Sequence, residues 1–154
     1  DGELIDSLHD FDFPPEFNEI RHIIQCISKE KKYQDDLFDI EVHICDAREY
    51  IKTLQNIDVV YQDAFSSEVN NELWTYEYFQ DIYDVCNDDA IITTYSVATP
   101  VRLSMYEAGF EIYEIKPVKK KQTLGFKNKQ NIDAKYIDME LKQQRNKEAK
   151  AIHD

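Results

Sequence analysis

The feature that most constrains the fold is a repeating alternation of short strand patterns with helical ones through the middle of the chain. Ile40-Glu41-Val42-His43-Ile44-Cys45 alternates apolar and polar side chains as a half-buried strand does. Asp46 then stands as an N-cap before a short helix over 47–55. Ile57 to Tyr61 is a mostly apolar run too short for a helix, and it ends at Gln62-Asp63. A helix is predicted from about Glu72 to Cys86, a turn at Asn87-Asp88-Asp89, and a β-branched strand from Ala90 to Tyr95. A further helix over about Thr99 to Ala108 is closed by Gly109. Phe110 to Ile115 alternates again, and Gln122 to Lys127 makes a last strand after a lysine-rich turn. This order predicts an α/β fold with a mostly parallel sheet and an antiparallel last hairpin.

The flanks read differently. Pro14-Pro15 precede Phe17, Ile20, Ile24 and Ile27 at helical spacing, with a charged stop at Lys29 to Lys32. Residues 132–152 are predicted as a polar helix with Ile132, Tyr136, Met139 and Ile152 as sparse apolar positions. The expected division is therefore a domain over 1–130 and a basic terminal helix over 131–154.

Composition excludes several classes. The chain has 154 residues and is 42% apolar, enough for a core. Its 3 glycines, Gly2, Gly109 and Gly125, are too far apart to form a glycine-rich phosphate loop. There is no run of 18 apolar residues, so no membrane span is expected. Three cysteines, Cys26, Cys45 and Cys86, are odd in number and not paired as CxxC, which points to reduced thiols in a cytoplasm. Asp1 is not an initiator methionine, so a processed or truncated chain is expected. The net charge of −13 divides into −19 over residues 1–115 and +6 over 116–154. An acidic body with a basic last quarter can meet a polyanion at one end, or simply be a soluble surface with a charged terminal helix.

In sheets of this kind ligands bind at the carboxyl ends of the strands. That rule singles out Asp46, Asp63 and Ser96, each following a predicted strand. A carboxylate in such a place is commonly a helix cap, so pattern alone leaves both readings open.

Specific segments add to the pattern. Cys45-Asp46-Ala47-Arg48-Glu49-Tyr50-Ile51 looks like the DAR-type motif after strand 3 of class I methyltransferases. Asp63-Ala64-Phe65-Ser66 and then Asn70-Asn71-Glu72-Leu73-Trp74-Thr75 resemble the D-A/G-F-S/A-P and N-P-E-L-W-T signatures. Thr93-Thr94-Tyr95-Ser96, Val101-Arg102 and Glu107-Ala108-Gly109-Phe110 match further pieces in order over about 40–127. Together they resemble the methyltransferase domain of the MnmC family, bacterial bifunctional tRNA 5-methylaminomethyl-2-thiouridine biosynthesis proteins. Ser67 and Asn71 stand where the family has proline.

The resemblance implies a Rossmann-like class I sheet, S-adenosylmethionine as cofactor, and methylation of an aminomethyl group on the wobble uridine of tRNA. It implies that Asp46 and Ala47 meet the adenine, and that Asp63 lies where methyl donor and acceptor meet. Phe65, Trp74 and Arg102 fall on the acceptor side, with Trp74 starting the helix that walls the pocket. The family's glycine-rich loop and the acid ending strand 2 lie upstream of the matched segment. The chain is therefore expected to be incomplete at its N-terminus, to lack the strand joining 40–45 to the rest, and to self-associate or bind cofactor poorly alone.

Other constellations in the sequence carry weaker signals. His43, Cys45 and Asp46 have no fourth ligand at suitable spacing, so no metal is expected. Ser66 and Ser67 lack a nucleophile elbow. Tyr76, Tyr78, Phe79 and Tyr83 read as core, while Trp74 reads as a surface for an unstacked base. Lys119, Lys120 and Lys121, with Lys127, Lys129, Lys135 and Lys142 beyond, form a basic stretch suited to tRNA phosphates or to plain solvation. Two rival readings stand beside the methyltransferase: a non-catalytic RNA- or protein-binding module on the same scaffold, and a methyltransferase with another acceptor.

Overall fold

The computed structural model describes residues 2–117 and 120–154, in two compact units, Asp1–Asp46 and Ala47–Asp154. The first unit opens with α1 (Gly2–Ser7) and two 3-10 turns, Leu8–Asp10 and Pro15–Ile20. Proline at the first position of the second turn costs no hydrogen bond, because that N–H would be unpaired anyway. α2 (Arg21–Glu30) follows and stops at Lys31, which turns the chain with a left-handed φ of 59°. β1 (Lys32–Gln34) and β2 (Asp39–Glu41) then form an antiparallel hairpin. Its tip is held by the Asp35 carboxylate, which accepts from the N–H groups of Leu37 and Phe38 at 2.8 and 2.7 Å.

The strand predicted over 40–45 is thus corrected. It covers only Asp39–Glu41, and its partner is the local β1 rather than a strand of the main sheet. A short turn closes this pairing at small entropic cost. Of the predicted apolar stripe, Ile24 and Ile27 are half-buried, whereas Phe17 and Ile20 are exposed.

The second unit is an α/β layer structure. Its elements are α3 (Ala47–Ile51), β3 (Ile57–Tyr61), a 3-10 turn (Asn71–Leu73), α4 (Tyr76–Val85), β4 (Cys86–Thr94) and α5 (Thr99–Glu107). They continue with β5 (Glu111–Ile115), β6 (Gln122–Phe126), β7 (Lys135–Tyr136) and α6 (Met139–Arg145). The sheet order is β3-β4-β6-β5-β7. β3 and β4 pair in parallel, and β6 inserts antiparallel between β4 and β5, so β3, β4 and β5 run one way and β6 and β7 the other. The expected α/β sheet with its final antiparallel hairpin is present.

One sheet face carries the main core. Ile92 of β4, Ile112 of β5 and Phe110 pack with Phe79 and Ile82 of α4 and with Leu103 and Met105 of α5. Tyr113, Leu124 and Phe126, alternate residues of β5 and β6, make a smaller cluster with Ile91 and Ala134. Thr75 caps α4, its hydroxyl accepting from the Tyr78 N–H.

Two elements depart from expectation. Asn87-Asp88-Asp89 lie within β4, where the β3–β4 register shifts, so the polar run marks a bulge rather than a turn. The single terminal helix expected over 132–152 is instead β7, which pairs with Tyr113 and Glu114, followed by the seven-residue α6. Asp138 starts that helix, its side chain accepting from the Leu141 N–H. Among the described residues no helix is long and apolar enough to cross a membrane.

Candidate active site

β3 and β4 are parallel neighbours, so their carboxyl ends open on the same edge of the sheet. A cleft of about 210 Å³ lies there, lined by Tyr61, Gln62, Asp63, Thr93, Tyr95 and Gln122. Asp63 is exposed in it. Gln62 before it is buried and ties two segments together. Its N–H donates to the Thr93 carbonyl at 2.9 Å, and its side-chain amide donates to the Leu73 carbonyl at 2.7 Å.

The loop after Asp63 is pinned at two further points. The Trp74 indole N–H donates to the Phe65 carbonyl at 2.6 Å, and the Tyr95 hydroxyl donates to the Ala64 carbonyl at 2.9 Å. The Trp74 and Tyr95 rings meet edge to face, 5.9 Å between centroids. These contacts fix the backbone that carries Asp63 while leaving its carboxylate in solvent. The Phe65 side chain is 75% exposed beside it.

The other expected site residues divide clearly. Trp74, expected to start the helix that walls a pocket and to offer its ring to an unstacked base, does precede α4, but it is 1% exposed and belongs to the core, where it holds the 63–70 loop. Arg102, expected at the acceptor, is 3% exposed in α5. Its Nε donates to Thr123 Oγ1 at 2.8 Å and its terminal nitrogen to Glu114 at 3.0 Å. Lys121 reaches the other oxygen of Glu114 at 2.7 Å, while Lys120 is exposed and Lys119 lies outside the described residues. Asp46 is an exposed residue at the end of the first unit, and Ala47 opens α3 in the second. Gln62 and Tyr95 were not singled out by sequence reasoning. The only hint was Gln62's place between an apolar strand and Asp63, and Tyr95's place within a quoted motif.

α3 is anchored within its unit by an ion pair between Arg48 and Asp154. The terminal residues also hold α4 and α5. The Tyr76 N–H donates to the Ile152 carbonyl at 2.7 Å, and the Ile152 N–H donates to Ser104 Oγ at 2.9 Å.

Residues 18–128 match the sequence family described as S-adenosyl-L-methionine-dependent methyltransferase. The chain belongs to that family. An uncharacterized protein of Methanocaldococcus jannaschii is 35% identical over 100 residues, covering 63% of this chain and 28% of that protein. The tRNA 5-methylaminomethyl-2-thiouridine biosynthesis bifunctional protein MnmC of Burkholderia vietnamiensis is 39% identical over 66 residues, 42% of this chain and 10% of that one. The crystal structure of MnmC2 from Aquifex aeolicus superimposes with a TM-score of 0.70 at 24% identity, covering 85% of this chain and 43% of that one. The chain thus spans less than half the length of each. The resemblance to an MnmC-type methyltransferase domain stands, and the shared fold extends over most of the chain.

The cofactor of the family is S-adenosyl-L-methionine. The donor set fits part of it: carboxylates suit an amino group or a sulfonium, and a backbone N–H suits a ring nitrogen. None of Gly2, Gly109 and Gly125 follows a strand of the parallel β3–β4 pair, so no glycine loop here suits its amino-acid end.

Proposed function

We propose that this chain carries the acceptor side of an S-adenosyl-L-methionine-dependent N-methyltransferase acting on the aminomethyl group of a wobble uridine in tRNA. The observation that carries the reading is the exposed Asp63 carboxylate on a pinned loop at the carboxyl ends of parallel strands. The MnmC relatives, named for tRNA 5-methylaminomethyl-2-thiouridine biosynthesis, support the acceptor class.

When bound, the cofactor supplies an electrophilic methyl group on a sulfonium. The chain's residues position the nucleophile. An amine attacks only when neutral, so Asp63 hydrogen-bonds its N–H groups and accepts the proton released on transfer. The same carboxylate is favourably placed toward a positive sulfonium. Gln62, Trp74 and Tyr95 hold the Asp63 backbone so that orientation is fixed before reaction. Asp46 and the Ala47 N–H serve the adenine, and Phe65 offers an apolar face to the base.

The test is Asp63→Ala in the full-length protein, with methyl transfer to tRNA and cofactor binding by calorimetry measured side by side. Turnover is expected to fall at least ~100-fold, the lower range for a lost acid–base group, with cofactor affinity changed far less. Equal loss of both would refute the assignment.

A further inference from the structure

A second concavity of the 47–154 unit, about 450 Å³, lies between α5, β5, β7 and α6. It shares no lining residue with the Asp63 cleft, but the two adjoin through the chain. Lys121 lines this cavity, and the next residue, Gln122, lines the cleft. Its charge is lopsided. Glu114 is taken up by both Arg102 and Lys121, and Asp138 is engaged in capping α6. Lys135, Lys142 and Arg145 also line it, and none of the three forms an ion pair among the described residues.

Lys142 registers the imbalance. Burial first and then the positive charge of Arg102 push its ammonium below the usual lysine range; Glu114 opposes this, and Lys121 and Lys135 add to it. An anion placed there would relieve that repulsion. Tyr136 and Leu141, each 39% exposed, give the same cavity an apolar wall. A nucleotide presents both kinds of surface, a phosphate and a base or sugar. Within the same unit, residues 47–115 carry 3 basic and 13 acidic side chains, net −10, so a polyanion is drawn to this basic concavity rather than to the rest of that segment.

We propose that this cavity holds the phosphodiester backbone of the RNA strand whose nucleotide enters the Asp63 cleft, with Lys142 and Arg145 as the principal phosphate contacts. The proposal rests on the reading that the methyl acceptor is an RNA. Lys135 and the apolar wall of Tyr136 and Leu141 orient the neighbouring nucleotide, and Lys121 leads the strand toward Gln122 and Asp63.

The experiment is fluorescence anisotropy of a labelled tRNA transcript with the full-length protein across a salt series. Lys142→Gln with Arg145→Gln should weaken binding roughly tenfold and lower the slope of log affinity against log salt by about 1.4, or ~0.7 per lost phosphate contact on a single strand. Arg145→Gln alone, at the exposed last turn of α6, should give about half that slope change should the double variant fold poorly. Lys142→Arg with Arg145→Lys should retain both values, and Lys29→Gln with Lys52→Gln should leave the slope nearly unchanged. Slopes equal to the parent's in the cavity variants, or an equal loss in the control pair, overturn the cavity while leaving the RNA reading intact. Displacement of the transcript by polyglutamate or inorganic phosphate as readily as by unlabelled tRNA also overturns it. A full-length protein that binds no tRNA overturns both readings together.

Discussion

Arg102 is almost wholly buried, yet it carries a full charge into the interface between α5 and the sheet. Thr123 and Glu114 satisfy it, and Thr123 in turn donates to the Ser96 carbonyl at 2.6 Å, so the network ties α5, β5, β6 and the chain leaving β4. Breaking one partner of such a pair strands the other charge. Glu114→Gln is expected to cost about 3 kcal/mol of stability at neutral pH, read by urea unfolding. The pH dependence has a definite sign. The Lys121 contact, with Arg102 beyond it and burial opposing, holds the Glu114 carboxyl below its ordinary value of 4.5. Its contribution is complete above that pH and is lost as pH falls through the lowered native value. The parent should therefore shed stability in acid more steeply than Glu114→Gln; superimposable acid limbs would contradict the pairing. Val101-Arg102 was visible in the sequence as a motif, but a motif does not disclose which way a side chain faces. A charged residue and an indole both read as ligand contacts until burial is known, and the structure gives both Arg102 and Trp74 positional work. The exposure of Asp63 was legible because a carboxylate past a strand end has few places to go but outward.

At the scale of elements, the alternation of β3, α4, β4, α5 and β5 was legible because each buries one face at its own period, 2 or 3.6 residues. The strand β6 shows how tight the resulting interface is. Gly125 lies opposite both Ile92 and Ile112. A Cβ there would stand 2.8 Å from Ile92 Cγ2, 3.0 Å from Met105 Cε and 3.3 Å from Phe110 Cβ. Gly125→Ala is expected to destabilise the protein by about 1–3 kcal/mol through overpacking, measured by thermal unfolding. A neutral or stabilising outcome would mean that α5 moves off the sheet without penalty. The same periodic reasoning failed over 132–152. Ile132, Tyr136 and Met139 have helix-like spacing, but Tyr136 faces its partner strand, its ring 5.3 Å from that of Tyr113 and its hydroxyl donating to Glu111 at 2.9 Å. Sparse apolar residues fit two periods at once, and pairing with β5 decided between them. At 40–45 the alternation was real but gave no hint of which partner would be chosen.

For the whole molecule, the deciding quantity is where apolar surface is removed from water. Every buried apolar side chain among the described residues lies between Trp74 and Met139, and Ser28 alone is buried in the first 46. Ser28 donates to the Asp6 carbonyl at 2.9 Å and lies 2.9 Å from the His9 ring nitrogen, so that unit is organised by polar contacts and a short hairpin. Polar contacts in solvent contribute about 1 kcal/mol each or less, while burial contributes about 25 cal/mol per Å² of apolar surface. Local opening should follow the same division, since segments with little buried apolar surface open at low free energy. Amide hydrogen exchange of the full-length protein is therefore expected to show the slowest amides in β4, β5 and β6. Those of α2 and the β1–β2 hairpin should exchange at least ~100-fold faster, a difference of about 2.7 kcal/mol in opening free energy. Protection in α2 matching that of β6 would show that the first 46 residues are held by more than their own contacts.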